Sequence, residues 1–384
     1  MIHSALQVIL VVIAITLVCY FIFTCLLAFT WKRQPAIAER KDLKEPSSFF
    51  TVIVPVRNEA NNIGKLLQDL IRQDYPSHLY EVLIMNDGST DATAQLVEEI
   101  IRNTTRQIHL VELPSDPSKS PKKRAIEHGI KMAKGSLITT TDGDCRMGPH
   151  WLSSIDSYYQ STACRLISGP VTFLEPQKLT DHLQIIEFAS LVGSGACSLV
   201  AGFPSMCNGA NLTYEKRTFM AVGGYSGVDH LASGDDEFLL HKIADQFPGQ
   251  YGFINDPEVI VSTAAHQDWT SFYRQRKRWG SKWKHYTNPT PKILAIFIFM
   301  ANVSMLISVV LALFGCISLS DLAIICLLKC LPEWIFLTPI LGFLKKRSSI
   351  PYIPLTQLLY PFYVCLFGLA AQDKTYIWKG RRLS

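Results

Sequence analysis

The chain has 384 residues, of which 48% are hydrophobic and 18% are charged, whereas about 25% of residues are charged in an ordinary soluble domain. This deficit of charge predicts membrane segments. The formal net charge of +5 is too small to indicate a nucleic-acid partner, but it is compatible with attraction to an anionic membrane surface.

The first apolar segment covers residues 6–30 and contains no charged residue. It is long enough to cross a hydrocarbon core of ~30 Å, and it lacks a basic start and a small-residue cleavage site, so we expect an uncleaved transmembrane anchor over 1–31 rather than a buried core helix. The residues that follow are basic and include Lys32, Arg33, Arg40, Lys41 and Lys44. This flank predicts that the next part of the chain is cytoplasmic.

Short β-rich runs then alternate with helical ones. Strands are expected over 49–56, 80–85, 107–113 and 137–141, and helices over 60–72, 91–102 and 121–133. This alternation is typical of an α/β fold in which helices cover both faces of a parallel sheet. Ligands of such sheets bind at the carboxyl ends of the strands.

Polar clusters follow three of these strands. The clusters are Arg57-Asn58-Glu59, Asn86-Asp87-Gly88 and Asp142-Gly143-Asp144. Neither a G-x-G-x-x-G nor a G-x-x-x-x-G-K-[ST] motif is present, so a nucleotide would have to be held in another way than in dinucleotide-binding or P-loop proteins. By local chemistry alone, D-G-D could equally be a solvated turn.

Two further motifs come later in the chain. In SGDDEFLL, three adjacent acids, Asp235, Asp236 and Glu237, precede an apolar run, and they are either a charged helix N-terminus or a catalytic group. QRKRW covers residues 275–279, and the aromatic residues around it recur at intervals of three, four and seven: Trp269, Phe272, Trp279, Trp283 and Tyr286. This stripe predicts an interfacial amphipathic helix over 268–288.

Three apolar segments, 293–315, 322–344 and 354–371, form an expected C-terminal membrane region over 292–372. Lys329 and Glu333 interrupt the second segment, and their spacing of four allows them to pair on one helix. The basic runs at 345–347 and 379–382 both favour the cytoplasm. Two or three C-terminal crossings therefore remain open.

Six motifs in this order carry a family resemblance: PVRNEANNIGKLL, MNDGSTDAT, PKKRAIEHGI, TTTDGDC, SGDDEFLL and QRKRW. Over roughly residues 48–285 the chain resembles membrane-embedded inverting glycosyltransferases of family 2, which have the GT-A fold and include relatives of cellulose, chitin and hyaluronan synthases. The resemblance implies a cytoplasmic GT-A domain over 46–267. The chain departs from the family pattern at Asn86, where a second Asp is more frequent.

The resemblance implies a nucleotide-diphosphate sugar as the donor. Asp87 would accept a hydrogen bond from the base, most often uracil, with Glu59 shaping the same pocket, and Lys122 would contact the donor. Asp144 would bind a divalent cation directly and Asp142 would lie at the ribose or beside the cation. Mg²⁺ and Mn²⁺ both suit such hard oxygen ligands. Lys123 and Arg124 are expected only to form a solvated helix face.

Asp236 corresponds to the family's catalytic base, which takes a proton from the acceptor hydroxyl. Asp235 would orient the loop and the acceptor, Gln275 and Arg278 would lie near the diphosphate, and Trp279 would stack on the acceptor. The turn Asn208–Asn211 either lines the acceptor site or is only a turn.

The sequence thus predicts a multi-pass protein of the inner or plasma membrane, in contact with lipids, that transfers a sugar to a polysaccharide or a lipid-linked saccharide. Single-sugar transfer to a membrane lipid is the nearest alternative. Two other classes are less favoured. A nucleotidyltransferase would not need a catalytic base in the G-D-D motif, and a transporter would be expected to contain internal repeats, which the sequence lacks. The donor sugar, the linkage and the oligomeric state stay open.

Overall fold

The structure is a computed structural model that describes residues 2–34, 45–114, 120–231, 233–282, 289–370, 376–378 and 381–383. Several residues used in the sequence predictions lie outside these ranges: Arg40, Lys41, Lys44, Trp283, Tyr286 and Lys379.

The chain divides into two compact units. The helical unit comprises Met1–Arg33, Glu175–Cys197 and His266–Tyr376, and the α/β unit comprises Gln34–Leu174, Ser198–Ala265 and Ile377–Ser384. Glu175–Cys197 thus groups with the helical unit although it falls within the range expected for the GT-A domain. The predicted domain boundaries remain predictions.

The strands of the described ranges are labelled in chain order: β1 Phe50–Val56, β2 Tyr80–Asn86, β3 Ile108–Glu112, β4 Leu137–Thr140, β5 Leu166–Ser168, β6 Val171–Phe173, β7 Leu212–Glu215, β8 Tyr251–Phe253, β9 Val261–Thr263, and β10 Tyr376–Trp378, which pairs with β11 Arg381–Leu383. Seven of them form one sheet in the order β3-β2-β1-β4-β7-β5-β8, and β6 pairs with β9. β1 to β4 are parallel, as expected, but β7 runs antiparallel to both β4 and β5. The sheet is therefore mixed, because strands beyond the predicted region join it.

The helices of the described ranges are α1 Ile2–Arg33, α2 Ile63–Ile71, α3 Thr93–Arg102, α4 Pro121–Met132, α5 Trp151–Ser161, α6 Leu179–Val200, α7 Lys216–Ala221, α8 Glu237–Gln246, α9 Trp269–Ser281, α10 Thr290–Leu313, α11 Leu319–Phe343 and α12 Ile353–Ala370.

The core of the α/β unit surrounds β1 and β2, in which nearly every residue is buried. Leu66, Leu67 and Leu70 recur at helical spacing in α2 and are fully buried. Each such side chain contributes about 1.5 to 3 kcal/mol by leaving water. This core fixes the carboxyl ends of the parallel strands, where the polar clusters begin.

Within the described ranges, five helices are long and apolar enough to cross a membrane: α1, α6, α10, α11 and, with the turn before it, α12. The sequence prediction included four of these and missed α6, because polar residues such as Asp181, Gln184 and Glu187 interrupt its apolar pattern. The most apolar part of α6 is 61% buried, against 22% for α1 and α10. α6 therefore packs largely against protein.

Lys329 and Glu333 form the ion pair that their spacing predicted, with Lys329 Nζ 2.8 Å from Glu333 Oε1. Tyr20 OH donates to the same oxygen at 2.5 Å, and Gln357 Nε2 lies 3.2 Å from Oε2. These groups satisfy the buried charges, which explains how an ion pair is tolerated in an apolar helix.

Candidate active site

The carboxyl ends of β1, β2 and β4 lie at one edge of the sheet. Val56 pairs with Asn86 in the ladder between β1 and β2, and Ile53 pairs with Thr140 in the ladder between β1 and β4. The three polar clusters leave the sheet from this edge, as the pattern of strands predicted.

Asp87 is only 5% exposed and lies between two arginines. Arg124 Nη2 donates a hydrogen bond to Asp87 Oδ1, and Arg57 Nη1 lies 3.9 Å from Oδ2 and 2.5 Å from the Asp87 carbonyl oxygen. The expectation that Arg124 is part of a solvated helix face is therefore wrong, because its guanidinium group is turned onto this buried carboxylate.

The contacts of Asn86 explain why this chain has an amide where the family more often has an aspartate. Its Nδ2 donates to both carboxylate oxygens of Glu112, at 2.7 and 2.9 Å, and its Oδ1 accepts from Ser89 N and Oγ at 3.1 and 2.6 Å. An aspartate at this position would face Glu112 with a second negative charge. The amide is the side chain that fits here.

The D-G-D turn carries a concentration of negative charge. Burial, followed by the charges of Asp142 and Glu59, raises the pKa of Asp144, and Thr263 Oγ1 donates to Asp144 Oδ2 at 2.8 Å. Gly143 is required by space, since a Cβ there would lie 2.9 Å from Cγ of Glu59. The structure thus places Glu59 directly against this turn.

Lys122 joins the D-G-D turn to the G-D-D motif. Its Nζ lies 2.8 Å from Asp142 Oδ1 and 3.2 Å from Asp235 Oδ2. Burial alone lowers the pKa of Lys122, but Asp142 and Asp235 raise it overall. Burial raises the pKa of Asp235, but Lys122 and Lys123 outweigh this effect and lower it. Asp235 is therefore held as a carboxylate.

Asp236 caps the N-terminus of α8. Its Oδ1 accepts from Glu237 N at 2.8 Å, and its Oδ2 accepts from Gly209 N at 3.0 Å. Each carboxylate oxygen can accept a second hydrogen bond, so the cap leaves Asp236 capable of taking a proton. Helix capping and base chemistry are compatible at this residue.

The turn Asn208–Asn211 contacts Asp236 through Gly209 N, which donates to Asp236 Oδ2. Thr140 Oγ1 donates to the Gly209 carbonyl at 2.8 Å, which ties the turn to β4. Asn211 is buried and accepts from Trp151 Nε1 at 3.0 Å, so its side chain belongs to the core. Gly209 is the member of this turn that reaches the acidic motif.

Lys123 was also expected in the solvated face of α4, and that expectation is wrong. Its side chain has no exposed surface, and its Nζ donates to the carbonyls of Val228, Leu231 and Ser233 at 2.6, 2.8 and 3.0 Å. Nothing in the run PKKRA distinguishes this buried lysine from an exposed neighbour.

The QRKRW motif lies on α9, in the helical unit. Arg276, a residue that the sequence analysis passed over, is 4% exposed and binds Glu187 with two hydrogen bonds: Nε to Oε1 at 3.1 Å and Nη2 to Oε2 at 2.5 Å. Tyr363 OH donates to Oε1 at 2.8 Å. This cluster attaches α9 to α6 and α12.

Two residues with predicted acceptor or diphosphate roles contact Arg276. Gln275 Oε1 accepts a hydrogen bond from Arg276 Nη1, and the Trp279 ring lies 4.3 Å from the guanidinium carbon. Trp279 also stacks on Phe188, with ring centroids 5.9 Å apart. The predicted roles of Gln275, Arg278 and Trp279 toward substrate remain predictions.

The chain has the GT-A fold. The mannosyltransferase PcManGT from Pyrobaculum calidifontis, solved with GDP-Man and Mn²⁺, matches with a TM-score of 0.59 at 18% identity, over 92% of this chain and 99% of that one. Two family profiles also match: Glycosyl transferase family 2 over residues 51–187, and Glycosyl transferase family group 2 over residues 137–367. The second profile covers more than half of the chain, so the chain belongs to Glycosyl transferase family group 2, in agreement with the family that the motifs indicated.

Similar curated proteins include glycosyltransferase AglE of Haloferax volcanii, 30% identical over 197 residues, which are 51% of this chain and 62% of the relative. Poly-beta-1,6-N-acetyl-D-glucosamine synthase of Staphylococcus aureus is 26% identical over 268 residues, 68% of this chain and 60% of the relative. The chain thus spans about three fifths of the length of these relatives.

Proposed function

We propose that this chain is a membrane-anchored, cation-dependent, inverting glycosyltransferase that uses a nucleotide-diphosphate sugar. The observation that carries the proposal is the contact of Lys122 with both Asp142 and Asp235. This contact brings the candidate diphosphate and cation residues next to the candidate base motif, as a transfer at the anomeric carbon requires.

Asp87 is the central residue of the proposed pocket for the nucleobase of the donor. A buried carboxylate flanked by Arg57 and Arg124 offers one acceptor between two donors, and the edge of uracil presents the complementary order of acceptor, N–H donor and acceptor. We therefore favour a UDP-sugar, with Glu59 closing the pocket beside the D-G-D turn. PcManGT was solved with a guanosine donor, so GDP-sugars are the alternative to test.

A divalent cation fits the D-G-D turn. Asp144 is half-buried beside the charges of Asp142 and Glu59, and a cation would relieve their repulsion. Among the described residues, no three His, Cys, Asp or Glu side chains are grouped as a complete cation cage, so donor oxygens and water would complete the coordination. When bound, Mg²⁺ or Mn²⁺ would stabilise the charge of the departing diphosphate.

The residues of this chain would carry the remaining steps. Lys122 would release part of its contact with Asp142 and donate to the diphosphate. Asp236 would take the proton of the acceptor hydroxyl while the hydroxyl oxygen attacks the anomeric carbon. The attack comes from the face opposite the diphosphate, the bond between the anomeric carbon and the diphosphate breaks, and the configuration is inverted. Asp235 pairs with Lys122 and is held ionised, which makes it a partner for orientation rather than the base.

We propose a polysaccharide or lipid-linked saccharide as acceptor. The five apolar helices support residence in a membrane, and the basic flank Lys32-Arg33 of α1 supports a cytoplasmic catalytic unit. By its name, the Staphylococcus aureus relative builds a polymer of N-acetylglucosamine. Gln275 and Arg278 would lie near the diphosphate, and Trp279 would stack on the acceptor.

Membranes that contain the full chain should transfer labelled sugar from one member of a panel of UDP- and GDP-sugars. Label in an organic-extractable product would identify single-sugar transfer to a lipid, and label in a polymer would identify repeated addition. Release of pyrophosphate in place of transfer would favour a nucleotidyltransferase. Absence of transfer from every donor, with Mg²⁺ and with Mn²⁺, would refute the proposal.

A further inference from the structure

Residues 222–231 and 233–234, which lead into the G-D-D motif, belong to no helix or strand. After α7 the chain passes through turns with positive φ angles at Gly223, Gly224, Gly227 and Gly234. Turns of this kind direct carbonyl groups away from any strand or helix ladder, so their oxygens need other donors.

Two lysines supply those donors. Lys242 on α8 donates to the carbonyls of Gly224 and Ser226 at 2.8 and 2.7 Å, at the start of the segment. Lys123 on α4 binds the carbonyls of Val228, Leu231 and Ser233, at its end. An ammonium group has three N–H donors, and each of those of Lys123 has one carbonyl partner.

The surroundings of Lys123 leave its ammonium group no access to water. Its Nζ lies 5.2 Å from the ring centroid of Phe238 and 5.9 Å from that of Tyr225. Ser120 N, one turn earlier, donates to the Asp229 carbonyl at 2.9 Å. The first turn of α4 is therefore fastened to this segment by backbone and side chain together.

We propose that Lys123 is a positioning residue for the G-D-D motif. By binding the Ser233 carbonyl, two positions before Asp235, it fixes the point from which Asp235 and Asp236 enter the site. The adjacent Lys122 and Arg124 contact Asp142 and Asp87. Three consecutive residues of α4 thus fix the relative positions of the G-D-D motif, the D-G-D turn and the proposed nucleobase pocket at Asp87. The catalytic part of this inference rests on the proposed role of Asp236.

The test compares Lys123→Met, which keeps the length of the side chain but has no donors, with Lys123→Gln, which keeps two donors without charge. Lys131→Met, on an exposed part of the same helix, is the matched control. Turnover and donor KM are measured in membranes, UDP affinity with Mn²⁺ is measured on purified chain, and amide hydrogen exchange is followed over residues 225–238.

We expect kcat to fall by about 10²-fold in Lys123→Met, the size of effect that a displacement of about 1 Å at a catalytic group produces. Lys123→Gln should be intermediate and the control normal, while donor KM and UDP affinity stay unchanged. Exchange should rise within 225–238 and not across the rest of the α/β unit. If Lys123→Met does not fold, Lys123→Gln and Lys242→Met carry the test, with a smaller fall in kcat for Lys242→Met.

Normal kcat and normal exchange in Lys123→Met would overturn the proposal. Loss of UDP affinity together with faster exchange throughout the unit would also overturn it, because Lys123 would then be a general stabilising residue. If the unmodified chain transfers no sugar, the proposed function is wrong, but the inference about Lys123 can still be tested. Amide hydrogen exchange over residues 225–238 and UDP affinity in the variants then decide whether Lys123 fixes the segment.

Discussion

Charged side chains are paired in both units of the chain, but water reaches the pairs to different degrees. In the α/β unit the side chains of Lys122 and Asp142 are 20% and 38% exposed, whereas in the helical unit those of Arg276 and Glu187 are 3% and 8% exposed. A partly hydrated pair can exchange one partner for a ligand at little cost. A fully buried pair cannot, because removal of one ion leaves the other without compensation.

The two regions therefore use the same chemistry for different purposes. In the proposed function, Lys122 and Asp142 lie where a donor and a cation would bind, while the pair of Arg276 with Glu187 holds helices together. Exposure to water distinguishes these two pairs. Four experiments can break or sharpen this distinction.

Removal of divalent cations should have the largest effect. With excess chelator we expect transfer to disappear, because Asp142, Asp144 and Glu59 would repel the donor diphosphate, and we expect it to return with Mg²⁺ or Mn²⁺. Sugar transfer in treated membranes measures this. Full activity in excess chelator would show that the reaction needs no divalent cation, and it would refute the proposed cation site at the D-G-D turn.

Asp236→Asn should reduce transfer by roughly 10² to 10⁴-fold, the usual share of a general base, because an amide cannot take the proton although it keeps nearly the same volume. Asp235→Asn should be intermediate, since Lys122 would lose one of its two carboxylates. Glu237→Gln is expected to be mildest, with an effect on helix-end electrostatics of about 1 kcal/mol or less.

All three variants should be compared for turnover and for donor affinity in the same membranes. A mild Asp236→Asn beside an inactive Asp235→Asn would move the base to Asp235, against the ion pair that holds that residue ionised. Mild effects of both variants would favour the alternative interpretation, in which the motif is only a charged helix N-terminus without a catalytic role.

Glu187→Ala tests the buried pair of the helical unit. It should reduce the free energy of unfolding by about 3 to 5 kcal/mol, because Arg276 is left buried and unpaired. The double variant Glu187→Leu with Arg276→Leu should lose less. Lys134→Ala, which removes a 64% exposed partner of Glu81, is the control and should change stability by about 1 kcal/mol or less. Unfolding in detergent measures all three, and equal losses would erase the difference between a pair in which both side chains are buried and a pair with one exposed side chain.

Asn86→Asp should have a smaller effect on stability than Glu187→Ala. The aspartate would lose both hydrogen bonds to Glu112 and face a like charge, which we expect to cost about 1 to 3 kcal/mol. Glu112→Gln in the same chain should recover most of this loss, and a double-mutant cycle of thermal unfolding measures the coupling. No coupling between the two positions would mean that the amide is not selected by Glu112.

The sequence by itself determined the parts of the molecule that local patterns record. The predicted strands and helices between 49 and 133 agree with β1 to β3 and α2 to α4 to within a few residues, because period and length of apolar runs depend on neighbours along the chain. The same holds for α1, α10, α11 and α12. The rule that ligands bind at strand ends then placed Asp87, Asp142 and Asp144 at one edge.

Only the tertiary structure decided which charged residue meets which partner. Lys122, Lys123 and Arg124 are adjacent cations in the sequence. In the structure Lys122 contacts Asp142 and Asp235, Lys123 binds backbone carbonyls up to that of Ser233, and Arg124 contacts Asp87. Lys123 lies 105 positions from Val228, and Arg276 lies 89 positions from Glu187. Such pairs form because the sheet and the helices bring distant segments together, and a buried charge then takes the partner that packing supplies. No local period encodes that choice.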